Sequence, residues 1–306
     1  MSADPKHANA LLTFPPGVAY IDGDFCPMSE AKISILDWGF LRSDATYDVA
    51  HVWRRRFFRL DRHLDRFLNS VERLRLTLPI DRQGLSDVLK ECVRRSELDN
   101  AYVEMICTRG MSPTFSRDPR DAANTFIAFA IPFGWVANEE QRLRGLNLSI
   151  SDIPRIPPQS VDPTVKNYHW LDFIAGLFCA YDNGSDNTVL VDFDGNITEG
   201  PGFNLFAVKD GQAVTPERGV LEGITRMTAL ELCRELNVEA SLGTVTVEMA
   251  RWADEIFITS TAGGIMPVTR IDGIPVGDGE VGPVTQRLTT LYWEKHIDPD
   301  WSISID

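Results

Sequence analysis

At 306 residues the chain is long for a single core and fits one large domain or two ordinary ones. Hydrophobic residues at 43% and charged residues at 24% exclude a disordered chain. A net charge of −14 argues against a nucleic-acid partner, and no apolar run approaches the roughly 20 residues of a membrane helix.

In chain order, residues 18–25 (VAYIDGDF) read as a strand, an Asp-Gly turn and a second strand. Residues 52–60 (VWRRRFFRL) read as a second pair of strands about a tight turn. Asp61 is positioned to cap a helix whose Leu64, Phe67, Leu68, Val71 and Leu74 share one face. A further helix is expected at 84–96 and buried strands at 101–109 and 124–133. The loop between those strands is long for a simple connection, which points to function. The apolar pattern lapses at 134–143, so a small N-terminal domain (1–133), a linker (134–143) and a larger C-terminal domain (144–306) are expected. In the second half a strand (LNLSISDI) leads into the Pro-rich loop PRIPPQSVDPTV and a helix at 168–182, apolar nearly all round and expected to be buried. Short strands follow at NTVLVDF, NLFAVKDG and QAVT, then a helix TRMTALELCREL, an alternating VTVEM and a strand EIFITST. Strands and helices without regular alternation give an α+β class. The five cysteines are scattered without C-x-x-C spacing, which indicates neither a disulfide framework nor a metal site. The N-terminal segment lacks signal-peptide architecture, so a cytoplasmic protein is expected.

Four segments carry chemistry. In DPTVKNYHW (162–170), Lys166 stands between an extended segment and an apolar helix. That setting can desolvate an amine, and the neutral amine is the form that attacks an aldehyde; a solvated lysine before a helix is the plain alternative. In NITEGPGFNLF (196–206), Glu199 precedes a Gly/Pro turn with Asn204 beyond it. A carboxylate there could keep a pyridine nitrogen protonated, or be the solvated acid of a hairpin. In RGVLEGITR (218–226), Gly223 permits close approach and Thr225 can cap a helix, presenting the amides of Ile224 and Thr225 to an anion or simply ending a helix. TSTAGGIMP (259–267) offers hydroxyls and a Gly pair as a second phosphate cradle or a loop.

In their order and character these segments resemble the pyridoxal-phosphate enzymes of fold type IV, which include branched-chain and D-amino-acid aminotransferases, aminodeoxychorismate lyases and (R)-selective amine transaminases. The likeness runs from residue 19 to residue 294, and FFRLDRHLDRF, DPTVKNYHW, EGPGFN, GITR and TAGGIMP look most like the amine transaminases. The resemblance implies a two-domain fold, with a small N-terminal α/β domain and a larger C-terminal domain built on a pseudo-barrel sheet, working as a homodimer. It implies that Lys166 holds pyridoxal 5'-phosphate as a Schiff base and shuttles the proton, and that Glu199 pairs with the pyridine nitrogen. By the same likeness Arg66 clamps the phosphate, Ile224 and Thr225 form its backbone cup after Gly223, Ser260 and Thr261 form a second phosphate loop, and Leu221 and Asn204 belong to the cofactor site. Tyr47, Val49, Phe115, Trp170 and Ala262 are candidates for the substrate pocket, with Arg117 or Arg120 swinging in for a carboxylate. Two departures stand out. Leu171 replaces an expected glycine, and His51 with Arg54, Arg55 and Arg56 is unlike the amine transaminases. His51 reads as a pocket-edge or core histidine and the arginines as turn charges, unless they bias the pocket toward a carboxylate.

The activity implied is ping-pong transamination from a primary (R)-amine or D-amino acid to a keto acid such as pyruvate, through a pyridoxamine phosphate form. Branched-chain or D-amino-acid transamination, a lyase of the aminodeoxychorismate type and a non-catalytic binding protein are the alternatives.

Overall fold

The computed structural model describes residues 14–306; the reading of residues 1–13 as lacking a signal peptide lies outside them. Among the described residues eight α-helices and sixteen strands build two sheets with helices packed on them, the expected α+β class. No helix among them is long and apolar enough to cross a membrane.

The first sheet is antiparallel. β1 (Val18–Ile21) and β2 (Asp24–Pro27) form the expected hairpin, with Asp22 and Gly23 at φ 55° and 90°, angles that a two-residue turn matching the strand twist requires. After a short helix, α1 (Trp38–Arg42), β3 (Ala45–Trp53) and β4 (Arg56–Phe58) turn over Arg54 and Arg55. Arg55 and Arg56 are not merely solvated: they bond Asp306 and Ser302. In α2 (Leu60–Arg73), Asp61 lies in the first turn and does not cap; the cap position is Arg59, at φ 53° and with no side-chain capping bond. The acid still favours the positive helix end. α3 (Arg82–Ser96) is capped by Asp81, and β5 (Ala101–Met111) and β6 (Ala123–Pro132) complete the lobe. Strand alternation sorts the side chains. Ala50, Val52, Val103, Met105 and Cys107 pack beneath α2 and α3 in a closed core, so Tyr47, Val49, Tyr102 and Glu104, one step out of phase, face the other way.

The second sheet is mixed. α4 (Glu139–Arg144), with an Asn138/Gln141 capping box, lies largely within the expected linker at 134–143. β7 (Leu146–Pro154) pairs in parallel with β8 (Asn187–Val191), and α5 (Leu171–Asp182) connects them. β9 (Glu199–Gly200), β10 (Phe203–Lys209), β11 (Gln212–Pro216), α6 (Ile224–Glu235), β12 (Ala240–Gly243) and α7 (Val247–Arg251) follow. VTVEM is therefore not a strand: Thr246 caps α7 through Met249 N. β13 (Glu255–Ser260), β14 (Gly264–Ile271), β15 (Ile274–Pro275) and α8 (Pro283–Glu294) come next. The order β10-β13-β14-β7-β8 closes on itself, because β9 pairs with β10 while Thr198 N donates to Leu190 O in β8 at 2.9 Å. Glu199 rides on the closing segment of this barrel-like ring. The last strand, β16 (Ser302–Ser304), crosses back to pair with β4 in the first sheet.

The expected helix at 168–182 begins only at Leu171 and is half exposed. Phe173, Gly176 and Ala180 are buried, while Leu171, Phe178 and Tyr181 stand out at 86%, 65% and 55% exposure. All-round apolarity here does not mean burial within one chain.

Candidate active site

A cavity of about 190 Å³ opens between the two sheets. Tyr47, Val49 and Tyr102 line one wall from the first sheet; Lys166, Glu199, Asn204, Leu221, Ile224, Thr225, Ser260, Thr261 and Ala262 line the rest, with Arg66 and Trp170 at its edge. Residues scattered over more than two hundred positions thus meet in one place.

Lys166 reaches it because its carbonyl is tied to β3. Thr46 Oγ1 donates to Lys166 O at 2.6 Å and Tyr47 N does so at 3.3 Å. Its Nζ lies 4.5 Å from the centre of the Tyr47 ring, which itself stacks on Tyr168 at 4.3 Å. Tyr168 donates to the buried carboxylate of Glu104 at 2.8 Å. Burial pushes the Glu104 carboxyl up, and the bonds from Tyr168 and Tyr102 and the charge of Lys166 offset that only in part.

Glu199 is 6% exposed and both its oxygens are engaged. Oε2 accepts from Leu221 N at 2.9 Å and Oε1 from Arg155 Nε at 3.3 Å. Arg155 in turn donates to Asp172 Oδ2 at 2.7 Å and lies 4.1 Å over the ring of Phe173. Burial raises the Glu199 carboxyl above its ordinary value, and Arg155 and the Leu221 amide only partly counter it. The row Asp172–Arg155–Glu199 carries two negative charges and one positive, one cation short of neutrality when ionised. A protonated ring nitrogen would supply that cation.

The other end of the cavity suits an anion. Gly223 precedes α6 without a side-chain cap, so the first amides of the helix, Ile224 and Thr225, have no partner in their own helix. Thr225 does not cap this helix; it lies inside its first turn. Asn204 Nδ2 donates to Leu221 O at 3.0 Å, and its Oδ1 lies where a Cβ on Gly223 would sit, at 2.1 Å. Gly223→Ala must therefore push Asn204 or the helix end away, and overpacking of this kind costs about 1–3 kcal/mol. We expect a cofactor titration of that variant to show affinity weakened about tenfold or more.

Arg66 is aimed by Asp48. Nε and Nη2 donate to the Asp48 oxygens at 2.7 and 2.9 Å, and Nη1 donates to Glu222 O at 3.0 Å. Fork-on-fork geometry fixes the guanidinium plane and leaves N–H groups for a second acceptor. His63 adds a bond to Asp48 at 2.8 Å. Burial pushes the Asp48 carboxyl upward, yet Arg66 and His63 outweigh it and hold it well below the ordinary 3.8. A depressed carboxyl stabilises the fold above its unfolded value and loses that contribution as pH falls through the folded one. Acid unfolding followed by circular dichroism should therefore steepen below the ordinary 3.8, and Asp48→Asn should lack that limb.

Other expected residues lie elsewhere. Phe115 is 83% exposed and Arg117 and Arg120 are exposed, none lining the cavity of their own chain. The loop is held out by its own bonds: Arg120 pairs with Asp118, and Ser116 Oγ donates to Asp121 at 2.6 Å. His51 is buried but does not line the cavity, and Arg54, Arg55 and Arg56 are also outside it. Sequence reasoning missed Arg155, Asp48 and Glu104. The signal for Arg155 was available: a buried Glu199 needs a counter-charge, and one arginine sits in the Pro-rich loop.

Pyridoxal phosphate fits this residue set. The buried acidic row suits the ring nitrogen, the α6 terminus with Arg66 and the 260–261 loop suits the phosphate, and Lys166 is the amine near both. Thr259 Oγ1, buried on the cavity wall, has no hydrogen-bond partner among the described residues.

The profile of the family described as Amino-transferase class IV matches residues 45–271. A putative branched-chain-amino-acid aminotransferase of Methanocaldococcus jannaschii is 32% identical over 289 residues, 94% of this chain and 98% of that one. A D-alanine aminotransferase of Staphylococcus haemolyticus is 28% identical, covering 91% and 97% of the two chains. Among solved structures, the branched-chain amino acid aminotransferase of T.th. with pyridoxamine 5'-phosphate superposes with a TM-score of 0.90 at 28% identity, over 96% of this chain and 100% of that one. The chain therefore belongs to the class IV aminotransferases, pyridoxal-phosphate enzymes that transfer amino groups.

Proposed function

We propose that the enzyme takes an amino group from a primary (R)-amine or D-amino acid and passes it to a keto acid such as pyruvate in a ping-pong sequence. The observation that carries this reading is the charge on the cavity wall. Each guanidinium there already serves a carboxylate, Arg66 that of Asp48 and Arg155 those of Glu199 and Asp172. The wall from the first sheet is aromatic and aliphatic, with the buried Glu104 behind Tyr168. Such a wall favours an apolar group. (R)-1-Phenylethylamine and D-alanine share one handedness, with phenyl in place of carboxylate, so one pocket can turn the same hydrogen of either toward Lys166.

The bound cofactor supplies the electron sink that makes the hydrogen on the amino-bearing carbon acidic. Lys166 holds the cofactor and, once displaced, moves that proton, as its place beside the Tyr47 ring allows. Glu199, backed by Arg155, keeps a positive ring nitrogen in place. Arg66, the amides of Ile224 and Thr225, and Ser260 and Thr261 hold the phosphate. The functional unit is read as a homodimer, supported by the exposed Ile35, Phe40, Leu41 and Phe115 on the first lobe and Leu171 and Phe178 on α5; light scattering would return the monomer mass if that is wrong.

Branched-chain L-amino acids are the second reading, favoured by the names of the relatives above. Half-reactions with (R)-1-phenylethylamine, D-alanine and L-leucine, followed by loss of the cofactor's visible band, decide between them. Faster bleaching by L-leucine than by both other donors would overturn the proposal.

A further inference from the structure

Thr259 and Ser260 are neighbours at the end of β13, and strand alternation turns their hydroxyls to opposite faces of the sheet. The Ser260 hydroxyl is engaged. Its Oγ donates to Gly202 O at 2.8 Å and accepts from Ala262 N at 3.2 Å. Gly202 belongs to the turn after Glu199, so this side chain clasps the turn that carries the ring-nitrogen acid to the turn at 260–262. Val136 N steadies the latter from outside, donating to Ala262 O at 2.8 Å. The Thr259 hydroxyl is in the opposite condition. The residue is 2% exposed and lines the cavity, and Oγ1 has no hydrogen-bond partner among the described residues.

Register fixes where Thr259 looks. It stands directly opposite Asn204 on β10, and opposed residues share a sheet face with Cβ atoms about 5 Å apart. Asn204 reaches the start of α6. Its Nδ2 donates to Leu221 O at 3.0 Å, and its Oδ1 lies 2.1 Å from where a Cβ on Gly223 would sit. Phe257, two residues before Thr259 and on the same face, shares a core with Ala229 and Cys233 of α6. Thr259 is therefore on the face of β13 that α6 covers, at the end where the helix begins.

A hydroxyl has one hydrogen to donate, whereas the oxygens of a phosphate dianion only accept. Ser260 has given its hydrogen to a carbonyl, and Thr259 has not. We infer that the Thr259 hydroxyl is a contact of the cofactor phosphate, donating to one of its oxygens beside the Ile224 and Thr225 amides. The Ser260 side chain serves the same site by positioning its turn. That contact rests on the reading that places the phosphate at α6 and Arg66. It breaks no bond within the chain when it forms, and a bond to a charged oxygen changes affinity about tenfold or more.

The test compares the Kd of pyridoxal phosphate with that of pyridoxal in the apoprotein, where the ratio reports the phosphate alone. Thr259→Val is expected to lower the preference for the phosphate form about tenfold, with pyridoxal bound as before, and Thr259→Ser to restore it. Ser260→Ala, which opens the clasp, is expected to weaken both forms alike. The Thr259→Val apoprotein should melt no lower than the native one, because burying an unpaired hydroxyl costs stability. Arg66→Gln is the control. If it lowers the preference and Thr259→Val does not, the contact is wrong and the phosphate reading stands. If neither lowers it, that reading fails and takes the contact with it. Equal loss of both forms in Thr259→Val would make the side chain a packing group, and a lower Tm or failure to fold would show its hydroxyl already bonded within the chain; either result overturns the inference. Loss of preference in Ser260→Ala alone would reverse the two roles and overturn it as well.

Discussion

Replacing Lys166 by alanine is expected to lower amino-group transfer by about 10⁴-fold or more while the fold stays intact. The fold tolerates the change because what anchors this residue is its carbonyl, held by Thr46 and Tyr47. The side chain is only half buried, and no carboxylate pairs with its Nζ among the described residues. Truncation therefore breaks no ion pair. Single-turnover measurements with an amine donor would show the loss, and borohydride treatment of the native holoprotein should fix the cofactor on Lys166. Turnover within tenfold of the native enzyme, or fixation on another lysine, would sink the assignment.

Arg155→Leu is expected to be the most costly change to stability. It leaves the buried Glu199 and the half-buried Asp172 without their shared counter-charge, and breaking a buried pair from one side costs about 3–5 kcal/mol. The sign of its pH dependence follows from Glu199. A carboxyl whose folded pKa is raised penalises the fold above that value, and the penalty fades as pH falls toward the ordinary 4.5. The deficit of the variant should therefore shrink between pH about 8 and about 5. Adding Glu199→Gln should recover much of it, since the stranded charge is gone. Denaturant unfolding at the two pH values checks both statements, and a deficit independent of pH would assign Arg155 to packing alone.

What the sequence made legible was local. The hairpin over Asp22 and Gly23, the β3–β4 turn and the α2 stripe follow from turn chemistry and periodicity within a few residues. The segments around Lys166, Glu199, Gly223 and Ser260 could be singled out because each breaks a regular pattern with residues suited to one chemistry. Asp48, Glu104 and Arg155 were not legible, because each owes its role to partners far along the chain: Arg66, Tyr168 and Glu199. A lone acid within a strand pattern gives no sign of whether it will be solvated or buried. Phe115, Arg117 and Arg120 do not line the cavity of their own chain, where Asp118 and Asp121 hold their loop to itself. The length of α5 was overread because Tyr168 serves Glu104 and stacks on Tyr47 instead of joining the helix.

The crossing of β16 onto β4 has a consequence for how the protein is made. Arg56 and Ser302, bonded at 2.8 Å, stand 246 positions apart, so that edge of the first sheet stays open until Ser302–Ser304 have been synthesised. Closing so long a loop is slow, and an uncovered strand edge invites association with other chains meanwhile. Ribosome-bound chains arrested before residue 301 should accordingly be protease-sensitive around Arg56–Phe58 and depend on chaperones, although every residue of the first lobe's helices has already emerged.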